Sequence, residues 1–135
     1  MKSSLMHQVL MRVFPGAHCR QLKFPYIWSV EIEDKRNAAL IVSAEKGFDA
    51  CACNDRGLHR TVAAKKDGKA ADALVVYAFI DENEAIQHVG KLPAEEVLDR
   101  IRQEQPRTKD SVFGTIHILD RRFFGLSDPD DDEPF

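Results

Sequence analysis

Ala73-Leu74-Val75-Val76-Tyr77-Ala78-Phe79-Ile80 is apolar at every position, and the reading of this stretch decides the fold. A run of eight with no polar alternation reads as a strand covered on both faces. It is also the longest apolar run in the chain and falls well short of the ~18 residues that a membrane-spanning helix needs. The sequence around it supplies the rest of a sheet. Upstream, Tyr26, Trp28, Val30 and Ile32 alternate with Ile27, Ser29, Glu31 and Glu33, the period of a strand with one buried face. Residues 38–43 follow the Asp34-Lys35-Arg36-Asn37 turn as a second strand. Residues 48–53 and 58–64 read as a third and fourth strand, joined through Asn54-Asp55-Arg56-Gly57, a hairpin signal. Downstream, the Asp81-Glu82-Asn83-Glu84 turn leads to a short strand over residues 85–89, and residues 112–119 form the last. Two segments have helical character. Residues 4–13 precede the Pro15-Gly16 break, and residues 93–103 open on Pro93 and on acids that suit the helix dipole. The expectation is an α+β domain, mostly antiparallel sheet with one or two helices, over residues 1–122, with a disordered acidic tail over residues 123–135.

The 135 residues suit one domain. With 44% hydrophobic and 30% charged residues, the composition excludes a collagen-like or wholly disordered chain. Three cysteines, two of them only two positions apart, fit a reducing compartment better than a disulfide framework. The first residues are too polar for a secretory signal. A cytoplasmic location, no membrane association and a possible homo-oligomer are the expectations.

The net charge of −3 hides an asymmetry. The first thirty residues hold four bases, Lys2, Arg12, Arg20 and Lys23, and no acid, whereas the last nine hold five acids and no base. Without those five acids the body carries 19 bases against 17 acids. An acidic tail on a mildly basic body suggests a protein that handles a polyanion, with a merely solubilising tail as the alternative. Arg12, Phe14, His18, Arg20, Lys23, Phe24, Tyr26 and Trp28 interleave bases with aromatics. Single-stranded nucleic acid asks for that combination: cations for phosphates and flat rings for bases. Trp28 and Tyr26 also fall on the strand face expected to be buried, so core packing is the stronger reading for Trp28. Arg12, Phe14, Arg20, Lys23 and Phe24 are the candidate DNA contacts. Lys65 and Lys66, from a second basic group with Arg56, Arg60 and Lys69, extend them. Cys51 and Cys53 with His59, and His18-Cys19 further away, have zinc-ligand character but no standard finger spacing. Two thiols on one face of a strand more often serve as small apolar packing. No metal or cofactor is expected.

The end of the chain, Asp130-Asp131-Asp132-Glu133-Pro134-Phe135, resembles the C-terminal tip of bacterial single-stranded DNA-binding proteins. In that family the tip docks replication, recombination and repair proteins, which the resemblance implies as partners here. Glu133 stands where the family usually has an apolar residue. The physical logic is a terminal ring for an apolar pocket, a carboxylate for an arginine, and acids for a basic ridge. A second stretch, Gly47-Phe48-Asp49-Ala50-Cys51 with Thr61-Val62-Ala63-Ala64-Lys65 and the apolar strand, is similar to the core of the PD-(D/E)xK nucleases. Asp49 and Lys65 match that family's motif, and Ala63 stands where its second metal-binding acid belongs, so the resemblance implies a DNA binder without cleavage. The sequence therefore predicts a non-enzymatic single-stranded DNA-binding or replication accessory protein, with a phage or mobile element as its expected carrier. The alternatives are a nuclease-like protein and an adaptor that mimics the single-stranded DNA-binding protein tip.

Overall fold

A computed structural model describes residues 1–126. The tail residues Asp130 to Phe135 lie outside the described residues. The described chain runs α1 (Ser3–Val13), β1 (His18–Gln21), β2 (Ile27–Ile32), β3 (Lys35–Ala44), β4 (Ala50–Asn54), α2 (Asp55–Lys66), β5 (Asp72–Ile80), β6 (Ile86–Pro93), α3 (Ala94–Glu104), β7 (Thr108–Ser111), β8 (Gly114–Asp120) and a 3₁₀ turn (Arg121–Phe124). This is the expected α+β class, with three α-helices rather than one or two.

The eight strands form one sheet. Its pairs are antiparallel except β3 with β5, which run parallel in register from Asn37↔Asp72 to Ala44↔Phe79. Parallel neighbours need a crossover, and α2 lies in that crossover. β3 is long enough to carry two partners on its other side. β2 pairs with it from Lys35 to Leu40, and β4 meets it at Ser43↔Ala52. β4 continues the sheet through β8 to β7, and β6 flanks β5.

Alternation along the central strands divides the core into two. Leu40, Val42, Val75 and Phe79 pack against Leu58 and Val62 of α2 and Val97, Leu98 and Ile101 of α3. Ala39, Ile41, Val76, Ala78 and Ile80 pack against Leu5, Met6, Val9 and Leu10 of α1. The sheet is thus covered on both faces, and β5 is buried as its unbroken apolar run requires. Trp28 is in the α1-side core, as its strand period indicated, while Tyr26 at the head of the same alternation is 41% exposed.

Three expectations are corrected. Residues 58–64 are helical, not a strand, because Asn54 caps α2 rather than turning a hairpin: its Oδ1 accepts the Gly57 N–H at 2.8 Å. Leu58, Thr61 and Val62 then fall on one buried helical face, with Asp55 at the positive end and Lys65 and Lys66 at the negative end of the dipole. The domain does not stop at residue 122, because Phe123 and Phe124 are in the core, and the Phe124 ring stacks on Tyr77 at 4.4 Å. The final strand starts at Gly114, so Val112 and Phe113 belong to the turn between β7 and β8.

Candidate nucleic-acid interface

Among the described residues, the α2-side face of β1 and β2 carries no helix of its own. α2 lies over β3 and β5, and the strip it leaves open between its flank and the sheet edge is a groove. Cross-strand partners share a face, which sets the floor. Arg20 on β1 lies opposite Ser29 on β2, which lies opposite Ala38 on β3. One end is a cavity of about 190 Å³ lined by Arg20, Arg36, Lys69 and the apolar Leu22, Ala38 and Ala64. The other end is a cavity of about 230 Å³ lined by Lys23, Phe24, Arg60 and Thr61, again with Leu22, Ala38 and Ala64. The shared residues make the two cavities one track along α2, from its C-terminal end to its middle.

Five bases line this track, and no acidic residue lines it among the described residues. None of the five has a carboxylate within 4.0 Å among the described residues. Glu31, opposite Arg36 in the β2–β3 register, stands at the outer margin. Phe24 is half-buried, and the Arg60 guanidinium sits over its ring at 5.3 Å, a cation–π contact that holds both flat groups at the groove wall. Close packing at Gly57 fixes that ring: a Cβ there would lie 2.9 Å from Phe24 Cε1.

The structure thus brings together Arg20, Lys23 and Phe24 of the sequence-derived candidates. It separates the others. Phe14 is 3% exposed in the α1-side core, where burying a phenylalanine contributes about 1.5–3 kcal/mol, so its predicted role as a contact is corrected. Arg12 is exposed in the last turn of α1, the helix on the opposite face of the sheet. Lys65 and Lys66 point away from the track because successive helical residues are ~100° apart. Lys65 pairs with Asp72 at 3.4 Å, and Lys66 lines a cleft of about 440 Å³ between α2 and α3 whose walls carry both signs of charge, Glu95 and Asp99 with Arg102. Arg36, Arg60 and Lys69 replace them. Arg60 and Lys69 belong to the second basic group of the sequence, but Arg36 reads there only as part of a turn.

Known proteins give no guide. No family model, curated protein or solved structure matches this chain.

The other constellations resolve as packing. Thr61 to Lys65 is helical, and Asp49 lies against Arg121, 3.6 Å from its Nε, rather than beside Lys65. Cys51 and Cys53 are both fully buried in the α2-side core. Burial pushes each thiol up to about 12, although the bond from Cys51 Sγ to the Ala78 carbonyl opposes this. His59 is turned from them toward Asp55. Asp55 Oδ1 also meets His117 Nε2 at 2.8 Å, tying β8 to the first turn of α2, while His117 Nδ1 is buried with no hydrogen-bond partner among the described residues. Among the described residues no three His, Cys, Asp or Glu side chains form a metal-binding group, and no helix is long and apolar enough to cross a membrane.

Proposed function

We propose that this protein binds single-stranded DNA along the α2 groove, without cleaving it, and recruits replication or repair proteins through its acidic Pro-Phe end. The observation that carries the reading is the set of five bases, Arg20, Lys23, Arg36, Arg60 and Lys69, on one track beside the Phe24 ring, none with a carboxylate within 4.0 Å among the described residues. Each phosphate met by a base releases condensed counterions, which supplies sequence-independent affinity. A ring at the groove wall adds a surface on which a base can stack. The absence of hydrolysis rests on the separate partners of Asp49 and Lys65, Arg121 and Asp72. Recruitment rests on the sequence of residues 130–135, with Phe135 as the anchor, since one residue supplies both a ring and a carboxylate.

The test is an anisotropy titration of a labelled oligothymidine at low salt. Arg36→Glu with Arg60→Glu should weaken binding at least tenfold, because two attractive contacts become repulsive. Arg12→Glu, on the opposite face, should change it less than twofold. Equal losses from both would place the binding surface elsewhere, and no binding by the wild-type chain would refute the reading.

A further inference from the structure

The two ends of the α2 groove are built differently. Lys23, Arg60 and the Phe24 ring line one cavity, whereas Arg20, Arg36 and Lys69 line the other without an aromatic residue. Ser29 also lines that second cavity, and it is only 8% exposed. The register fixes its place: Ser29 stands between Arg20 on β1 and Ala38 on β3. Arg36 lies two residues from Ala38 along β3, on the same face. Among the described residues the Ser29 hydroxyl makes no hydrogen bond, and Arg20, Arg36 and Lys69 have neither a side-chain hydrogen bond nor an ion pair. A buried hydroxyl ordinarily has a partner, and this one shares its cavity with three bases instead. The wall opposite is tied down. The Lys69 and Ala70 N–H groups donate to the Ala64 carbonyl at 2.9 and 3.0 Å, and the Ala71 N–H donates to the Arg36 carbonyl at 2.7 Å. Glu31, which lies opposite both His18 and Arg36 in the register, does not line the cavity.

We infer that the cavity of Arg20, Ser29, Arg36 and Lys69 holds a phosphate monoester, the phosphorylated end of the strand that the groove binds. The inference rests on the groove reading above and assigns a part of the strand to each end of the track. Charge and donor number select the ligand. A diester within a strand carries one negative charge, whereas a terminal phosphate carries about −1.5 to −2 at pH 7 and offers three acceptor oxygens. Two guanidinium groups, an ammonium and a hydroxyl match that dianion, because charge-assisted hydrogen bonds from arginine and lysine to phosphate are the strong ones. The other end, with two bases and a ring, suits a diester and the base attached to it. An unphosphorylated strand still lays its diesters along the same bases, which is the binding argued above. It leaves the Ser29 hydroxyl and part of the positive charge unmatched.

The experiment is a competition in which unlabelled oligothymidines displace a labelled one from the full chain. The competitors share one length and end in hydroxyls, in a 5′-phosphate or in a 3′-phosphate. One of the two phosphorylated strands should bind at least about tenfold tighter than the hydroxyl strand, the low end of one added hydrogen bond to a charged group. Arg36→Gln with Lys69→Gln should bring that ratio to within twofold of unity, and Ser29→Ala should lower it at least about threefold. Arg12→Gln, on the opposite face, should keep it. The ratio is read within each variant, so a general loss of affinity does not imitate the result. Hydroxyl and phosphate ends that compete equally, or a ratio that survives either of the first two variants, would overturn the subsite and leave the groove standing. Thymidine monophosphate that competes as well as the phosphorylated strand would assign the cavity to free nucleotides and likewise overturn it. A wild type that binds no strand would overturn the groove reading and the subsite with it.

Discussion

Asn54 holds two elements with one side chain, and substituting it separates their energies. Its Oδ1 accepts the Gly57 N–H at 2.8 Å and its Nδ2 donates to the Phe113 carbonyl at 3.1 Å, in a residue 8% exposed. Replacing an N-cap asparagine by alanine costs about 1 kcal/mol. Losing a hydrogen bond at a part-buried carbonyl costs about another 1 kcal/mol. Asn54→Ala should therefore destabilise the protein by about 2 kcal/mol, a sizeable share of the roughly 5–15 kcal/mol that holds a domain together. Asn54→Asp keeps the cap but cannot donate to Phe113, so it should lose about 1 kcal/mol. Urea unfolding followed by circular dichroism measures both differences. In thermal unfolding, alanine should lower Tm by about 6–10 °C, since each kcal/mol moves a domain of this size by about 3–5 °C. A stability within 0.5 kcal/mol of wild type for alanine, or equal losses for aspartate and alanine, would refute this account of how α2 begins.

Three other perturbations test separate parts of the structure. Below about pH 8.5 the thiols of Cys51 and Cys53 are neutral whether folded or unfolded; above it the unfolded chain ionises them while the native thiols, pushed up to about 12, do not. The native state then holds more protons, so stability should fall between about pH 8.5 and 12, by up to about 1.4 kcal/mol per unit for each thiol. Denaturant titrations at pH 8 and 10 should show a shallower fall when both are alanine; an identical fall would contradict the burial argument. A Cβ at Gly90 would overlap the Tyr77 hydroxyl, so Gly90→Ala must push the ring off its 4.4 Å stack with Phe124. This should cost about 1–3 kcal/mol, and unfolding at wild-type midpoint would show that Tyr77 yields freely. Deleting Phe135 should abolish capture of proteins that recognise the single-stranded DNA-binding tip, whereas Asp131→Asn should reduce it only in a salt-sensitive way; equal recovery by the deletion and the full chain would reduce the tail to a solubility device.

The elements that were legible carry either an apolar pattern or a start signal. β5 is apolar throughout because helices cover both its faces, and α3 was marked by Pro93 and the acids Glu95 and Glu96 of its first turn, with Val97, Leu98 and Ile101 buried behind them. α2 was hidden because Asn54-Asp55-Arg56-Gly57 has the composition of a hairpin turn and equally that of a helix cap. The discriminating signal was downstream, in Leu58, Thr61 and Val62, whose spacing is helical. β1 and β7 left no trace because they are edge strands, with three of four residues of β1 and all four of β7 exposed, and so carry no apolar alternation. The groove was legible in part. Arg20, Lys23 and Phe24 lie close together in the chain, and their interleaving survives folding. Phe14 shares that interleaving, but its place at the end of an amphipathic helix sends its ring inward. Arg36, Arg60 and Lys69 join the site only through the crossover that lays α2 beside β3.

The most direct test of the groove is the salt dependence of single-stranded DNA binding by the full chain. With five bases on the track, a plot of log Kobs against log salt should fall with a slope of about −3.5 if each base meets one phosphate. Arg20→Gln with Arg60→Gln should make the slope shallower by about 1.4. A slope near zero, or one unchanged when those two charges are removed, would contradict the central claim.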